Sequence, residues 1–349
     1  MRMMRLLQSS YIRWTAAFLA VAVLAILPPL LDLRPYQIHV LIVIAYFAYL
    51  GAAWNIMAGY AGQVSFGHAA FFGVGAYTST LLFTRAGISP WVGMFAGAAL
   101  AGVLGVAIGA LSFRYNLRGV YFALGTFAFA EILRVIFINW EQVGGSNGIA
   151  FRVARTWPEA MIFLDKLPYY WLILGMLAII LIITWFIGRS RLGYNFLAVR
   201  ENEIAAQHLG VDVFQTKIIA VAISAALTAP AGTFYAQYYQ FIDPYGSFGS
   251  QVSLDLMLRT VVGGMGLLWG PVAGSILLTP LGEFTRQLLE GRPGIDIMFY
   301  GVMLVLVMLF LPQGLLSLGD QLQSRKLHRS IVRLLKTFFT TNRGTAEVD

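Results

Sequence analysis

The chain has no cysteine in its 349 residues. That removes disulfide staples, thiolate metal sites and cysteine nucleophiles, and leaves the compartment open. Charge is scarce as well: 11% of residues are charged, against about 25% in soluble domains. Also missing is any Pro/Gly/Ser-rich linker or charged boundary that would divide the chain into soluble domains. There is no Gly-x-x-x-x-Gly-Lys-[Ser/Thr] phosphate loop and no His-Glu-x-x-His. Without a clustered nucleophile and base, paired catalytic carboxylates or a metal set, an enzyme is the poorest reading. No cofactor is expected on this chain, and any ATP that powers it must sit on another polypeptide.

What the sequence has in quantity is apolar length. Hydrophobic residues make up 58%, in runs at 14–31, 36–58, 65–84, 91–112, 119–138, 169–187, 214–238 and 295–311, with a less regular stretch at 253–289. One such run could be a buried core helix. A series of them, most near the roughly 20 residues that cross a hydrocarbon layer of about 30 Å, indicates membrane spans. They do not alternate in the manner of barrel strands. The expected fold class is an all-α polytopic membrane protein of about 8–10 transmembrane helices with Gly-broken or re-entrant segments.

The formal charge of +8 lies in short inter-span loops and at the ends of the chain, which reads as membrane topology and lipid contact, not nucleic-acid binding. Run 14–31 follows Arg2, Arg5 and Arg13 and lacks an Ala-x-Ala-like exit, so it is expected to be an uncleaved first helix. Arg325, Lys326, Arg329, Arg333 and Lys336 place the other end on the same, cytoplasmic side, which requires an even number of crossings. Arg114 with Arg118, and Arg189, Arg191 and Arg200, mark two further inside loops. Linker 139–168 falls outside, where Arg152, Arg155 and Lys166 balance Glu141, Glu159 and Asp165. Ten crossings satisfy this pattern if 253–289 crosses twice. Eight do so if the glycine break there dips and returns and another segment also fails to cross. Ten is favoured.

Glycines at 67, 73 and 75, and at 93, 97, 105 and 109, include four-residue spacings suited to close helix seams. Gly59-Tyr60-Ala61-Gly62 and Gly263-Gly264-Met265-Gly266 both put glycines three apart between apolar segments, a faint internal symmetry of the kind seen in transporters with broken helices. Polar residues within the spans need partners. Glu131 with Arg134 and Asp255 with Arg259 share helical faces at spacings of three and four, and should face protein, water or an interface. Each pair serves either helix registration or a translocation path. His68 is either a proton carrier or a satisfied interhelical hydrogen bond, and Asn55 and Gln63 offer further bonds within the bundle. Linker 189–212 contains Arg200-Glu201-Asn202-Glu203-Ile204-Ala205-Ala206-Gln207-His208-Leu209-Gly210, a short amphipathic helix with Ile204, Ala205 and Leu209 near one face and Gly210 as its stop. It either lies on lipid or docks into a cytoplasmic partner.

Five stretches carry a resemblance. They are Asn55 to Gly73 (NIMAGYAGQVSFGHAAFFG), Arg118 to Thr126 (RGVYFALGT), the 200–210 segment, Val262 to Pro271 (VGGMGLLWGP) and Phe310 to Leu315 (FLPQGL). In this order they resemble the LivM-type permease subunits of high-affinity branched-chain amino acid ABC transporters, over about residues 36–318. The resemblance implies a bacterial inner-membrane importer with a second related permease subunit, two cytoplasmic ATP-binding subunits carrying ATP and Mg²⁺, and a periplasmic substrate-binding protein. It implies a cytoplasmic N-terminus at 1–13, a transmembrane permease domain at 14–318 with periplasmic loop 139–168 and coupling loop 189–213, and a basic cytoplasmic tail at 319–349. Coupling to the ATPases would rest on Arg200, Glu201, Glu203, Ile204, Ala205, Ala206, His208, Leu209 and Gly210. The candidate pathway or bundle-interior polar residues are Asn55, Gln63, His68, Glu131, Arg134, Asp255 and Arg259. The implied cargo is leucine, isoleucine or valine; urea and short-amide permeases are similar. An ion-coupled secondary transporter and a non-transporting scaffold are the readings from other classes.

Overall fold

The computed structural model describes residues 33–151 and 158–288, plus Met298, Gly301, Val302, Val305 and Leu315. The expected first helix at 14–31, most of the last span at 295–311 and the basic tail at 319–349 lie outside the described residues. The long helices are α1 (Pro35–Asn55), α2 (His68–Ala86), α3 (Pro90–Arg114), α4 (Val120–Asn139), α5 (Lys166–Arg189) and α8 (Val213–Tyr239). Between the last two come the short α6 (Arg191–Glu201) and α7 (Glu203–His208), and after α8 come α9 (Pro244–Phe248), α10 (Ser250–Gly264) and α11 (Gly270–Leu288). A two-stranded antiparallel ladder, β1 (Ile149–Ala150) with β2 (Phe241–Ile242), ties loop 139–168 to the end of α8. The protein is all-α and polytopic, as its apolar runs predict.

Five helical stretches among the described residues are long and apolar enough to cross a membrane: Pro35–Tyr60, Pro90–Arg114, Val120–Asn139, Lys166–Arg189 and Val213–Tyr239. The first of them, α1 and its continuation, lies at the centre. Trp54, Leu50 and Ile56 are fully buried, and α1 packs against α5, α8, α10 and α11. Its side-chain contacts fix the direction of its neighbours. Tyr36 lies beside Glu283, His39 bonds the Tyr238 hydroxyl at 2.6 Å, and the Tyr49 hydroxyl donates to Leu227 O at 2.7 Å. Further along, the Ser224 hydroxyl donates to Ala53 O at 2.7 Å, and Asn55 reaches Leu267. α8 and α11 therefore run antiparallel to α1. Thr260 on α10 bonds Gly51 O, so α10 runs parallel to α1 and delivers the chain to Leu267 beside Asn55.

This settles how 253–289 is built. The helix starts at Ser250, and α9 precedes it; α10 alone, at about 22 Å, is too short to cross, but α9 and Gly249 extend the pass. The Gly263–Gly266 break is the turn of an antiparallel hairpin at the α6–α7 end of the bundle, not a dip at mid-depth. α10 and α11 touch backbone to backbone there: a Cβ on Gly263 would stand 1.7 Å from Gly270 O, and one on Gly274 1.7 Å from Arg259 O.

The irregular backbone at depth is instead at 61–67, which sequence periodicity had assigned partly to a span beginning at 65. α2 starts at His68, level with Ser224, roughly 16 Å into α8 from Val213. Unwound chain there needs protein partners, and it has them. Phe66 N–H donates to Thr126 Oγ1 at 3.2 Å, Gly67 N–H to Ser65 Oγ at 3.1 Å, Ala69 N–H to Ser253 Oγ at 2.9 Å, and Trp54 Nε1 to Ser65 O at 2.9 Å.

The glycine seams are real contacts. Gly97 lies against the Gly75 backbone, Gly93 against Ser79, and Gly105 and Gly109 against Val221 and Ala225 of α8. Lipid provides helices no hydrophobic reason to associate, so close backbone approach and dispersion hold α2, α3 and α8 together. The outward faces of α3 and α4 stay apolar and open, with Phe95, Val103 and Tyr121 about 70% exposed, as lipid- or protein-facing surfaces of a membrane bundle are.

Candidate functional site

Local chemistry explains why the 189–212 linker folds as two helices, the second of them the short helix expected within 200–210. Ser190 caps α6 by accepting from Gly193 N–H at 3.3 Å. Phe196 and Val199 bury one face of α6. At Asn202 the backbone turns extended (φ −160, ψ 111) and its side chain accepts from Ala205 N–H at 3.0 Å, capping α7. α7 ends at His208, followed by Gly210 at φ +85, a conformation that favours glycine; Asp212 then caps α8.

The predicted coupling residues divide into two sets. Turned outward are Ile204 (63% exposed), Leu209 (82%), Glu201, Ala205 and His208. Turned inward are Ala206, which is buried, and Glu203, whose carboxylate pairs with Lys217 Nζ and lies 3.6 Å from Arg118 Nε. Glu203 thus has partners within this chain, which tie α7 to α8 and to the start of α4. Lys217 also sits over the Phe113 ring at 5.2 Å. Sequence reasoning missed Lys217, although a lone cation one turn inside an apolar run needs an acidic partner, and the adjacent linker offers Glu201, Glu203 and Asp212. Lys217→Ala is expected to leave Glu203 with only the looser Arg118 contact and to cost about 1–3 kcal/mol, below the full penalty for orphaning a buried charge. Hydrogen exchange at the 203–209 amides measures it, with protection falling roughly tenfold or more.

Arg200 also points inward. Its Nη1 donates to Gly59 O at 2.7 Å and its stem packs on Gly62. Gly59 lies in a π-turn, Ile56–Tyr60, that continues α1. Asn55 spans the same junction, its Nδ2 donating to Leu267 O at 2.9 Å and its Oδ1 accepting from Gly266 N–H at 2.8 Å. No side chain fits at Gly59: a Cβ there would fall 1.9 Å from Asn55 Oδ1 and 2.6 Å from Gly266 N. Leu315 N–H donates to Val262 O at 2.8 Å, bringing the end of the Phe310–Leu315 stretch to the same place.

The other predicted residues find partners within this chain. His68 Nε2 is 2.8 Å from Ser224 Oγ, and Gln63 Nε2 donates to Ala61 O at 3.2 Å. Glu131 and Arg134 pair at 2.6 Å, partly exposed, with Arg134 over Tyr245. Arg259 is buried, 3.2 Å from Asp255, with its guanidinium 3.5 Å from the Phe47 ring centroid and its Nε 3.4 Å from Thr279 Oγ1. At the opposite end of the bundle is a pocket of about 300 Å³ lined by His39, Asp165, Lys166, Tyr169, Tyr238 and Gln240 among others.

The five stretches quoted above thus meet. Asn55–Gly73 touches Thr126, Arg200 and Gly266; Arg118 meets Glu203; Leu315 meets Val262. Comparison with known proteins places the chain in a family. The family described as branched-chain amino acid transport system / permease component matches residues 36–308. The chain is 30% identical over 292 residues to the high-affinity branched-chain amino acid transport system permease protein LivM of Escherichia coli K12, covering 77% of this chain and 67% of LivM. It is 25% identical over 296 residues to LivH of Salmonella typhimurium, covering 78% of this chain and 91% of LivH. The autoinducer 2 import system permease protein LsrC of Klebsiella pneumoniae is 29% identical over 186 residues, 51% of each chain. No solved structure matches. The chain is a LivM-type member of the branched-chain amino acid transport permease family, a multi-pass membrane component of a transport system.

Proposed function

We propose that this chain is the membrane-spanning permease subunit of an ATP-driven importer for leucine, isoleucine and valine, and that α6–α7 is the surface on which a cytoplasmic ATP-binding subunit docks. The observation that carries the docking surface is the pairing of an exposed apolar face, Ile204 and Leu209, with an inward face pinned by Arg200 and Glu203. A bare amphipathic helix lying on lipid needs no such anchoring, whereas a platform that receives force does. The arginine-rich loops around Arg114, Arg118, Arg189 and Arg191 support placing this end in the cytoplasm, with both chain termini there and loop 139–168 facing a periplasmic binding protein. ATP and Mg²⁺ belong to the partner subunits, and a second related permease completes the path. Nucleotide and cargo must favour different states of the pair, because a ligand that binds both states equally shifts neither.

The cargo is the one for which LivM is named; similarity to the autoinducer 2 permease LsrC, with the resemblance in sequence to urea and short-amide permeases, keeps a second cargo class in view. The test is reconstitution of the chain with co-purified partners in proteoliposomes, with uptake of leucine, isoleucine, valine, urea, short amides and autoinducer 2 measured with and without binding protein and ATP. Uptake of the three amino acids, dependent on both, is expected. Flux driven by an ion gradient in the isolated chain would overturn the ATP-driven reading, and exclusive uptake of another solute would overturn the cargo.

A further inference from the structure

We propose that Arg200 is a positioning residue that carries movement of the α6–α7 platform into the two glycine breaks, with Asn55 as its relay. The proposal rests on the docking role given above. The guanidinium does not face the docking surface, and its nearest acid, Glu201, is at 4.0 Å on an exposed side chain. It is aimed instead at one backbone carbonyl, Gly59 O, at 2.7 Å.

The widened π-turn sets this geometry. α1 closes through Ile56–Tyr60 instead of a regular last turn, and Gln63 N–H donates back to Met57 O at 3.1 Å. Such insertions cost regularity and are found where a helix has functional work. Here the turn presents Gly59 O to α6. Gly266 abuts both partners: a Cβ on it would stand 2.6 Å from Arg200 Nη1 and 3.1 Å from Gly59 O. Asn55 then clamps the hairpin turn by both ends of its amide, at 2.9 Å to Leu267 O and 2.8 Å from Gly266 N. A displacement of α6 therefore pulls or releases α1 and the α10–α11 hairpin together. α10 carries the buried Asp255–Arg259 pair, and α1 carries Ala53, which is bonded to Ser224 and through it to His68. The two breaks that look alike in sequence are joined by one side chain.

Spatial contact alone does not establish coupling, so the test measures it. The complete transporter is reconstituted with wild-type chain, Arg200→Ala, Arg200→Lys or Asn55→Ala, and ATP hydrolysis, cargo uptake and co-purification of the ATP-binding subunits are read together. Arg200→Ala is expected to retain the partners but to lower uptake per ATP at least tenfold, with Arg200→Lys recovering part of it. The Arg200→Ala/Asn55→Ala double variant should fall no further than the worse single, because both act on one junction. The absence of cysteine allows a second readout: spin labels at Gln207→Cys and Leu267→Cys, whose separation should shift as one narrow population on adding non-hydrolysable ATP. In Arg200→Ala the distribution should broaden and stop responding. Uptake per ATP within twofold of wild type in Arg200→Ala would overturn the proposal. So would loss of the ATP-binding subunits from that variant, which would make Arg200 a docking residue. A wild-type chain that neither retains ATPases nor transports would instead remove the functional reading on which the proposal stands.

Discussion

Aspartate at Ile204 and Leu209 together is expected to abolish recovery of the ATP-binding subunits with this chain and to eliminate ATP-driven uptake. The two side chains are 63% and 82% exposed, on the outer face of α7 and just beyond its end. In a monomeric membrane bundle they contribute little to folding, and substitution there is expected to move the melting temperature in detergent only slightly. In a complex, apolar residues at the centre of a docking surface cost about 2 kcal/mol or more each when lost. A carboxylate also brings a desolvation penalty if the partner still closes over it. Two such losses amount to about 4 kcal/mol, close to a thousandfold weaker association. Charge reversal at Glu201, exposed and outward, tests only the polar rim and is expected to have a smaller effect that fades with salt. Reversal at Glu203 acts from inside, because it places a like charge beside Lys217. Retention of partners and uptake within twofold of wild type in the double aspartate variant would place docking elsewhere.

Arg259→Ala is expected to be the most damaging single substitution within the membrane. Arg259 is 8% exposed and Asp255 21% at their side chains, and the guanidinium is enclosed by Phe47 and Thr279 as well as by the carboxylate. Removing it leaves Asp255 without its cation in an apolar setting, which costs about 3–5 kcal/mol for a buried pair. That is a large share of the stability of most proteins, so little of the variant should accumulate in membranes. The paired substitution Asp255→Leu/Arg259→Met keeps volume and removes both charges, and is expected to restore much of the accumulation and thermal stability. Its uptake then separates the two roles that sequence left open. Recovered stability with recovered uptake makes the pair a registration device. Recovered stability with uptake still lost places it on the path or its gate.

Much of the fold was legible in the sequence, for a definite reason. Bilayer thickness imposes a length, and α1, α3, α4, α5 and α8 meet it with continuous apolar runs. Caps were legible where local chemistry is decisive, as at Gly210. The errors cluster where helices are short or broken. Segment 61–67 is apolar enough to pass as part of a span, yet Thr126 and Ser65 satisfy its backbone in place of helical bonds, and Ser253 takes the Ala69 N–H at the start of the helix that follows. Those partners lie as far away as 184 residues in sequence. Helix α10 looked short because α9, which extends its pass, is hidden in a stretch of turn-forming residues around Pro244. The short helix within 200–210 and its Gly210 stop were legible, but its start was not, because periodicity does not register that Asn202 competes for the backbone as a cap.

The sequence by itself determined that this protein lives in a bilayer as a helical bundle, that Glu131 with Arg134 and Asp255 with Arg259 pair within their own helices, and that the 189–212 linker is an amphipathic element. These depend on hydropathy, length and spacings of three or four residues, all local quantities. Only the tertiary structure decided that Glu203 and Arg200 point inward while Ile204 and Leu209 point out, and that Lys217 belongs to the platform. It alone brought the glycines at 59 and 266 together on either side of Asn55. The direction of a side chain on a short helix depends on which neighbours the rest of the chain supplies, and the one that holds Arg200, Gly59, lies 141 residues away in sequence.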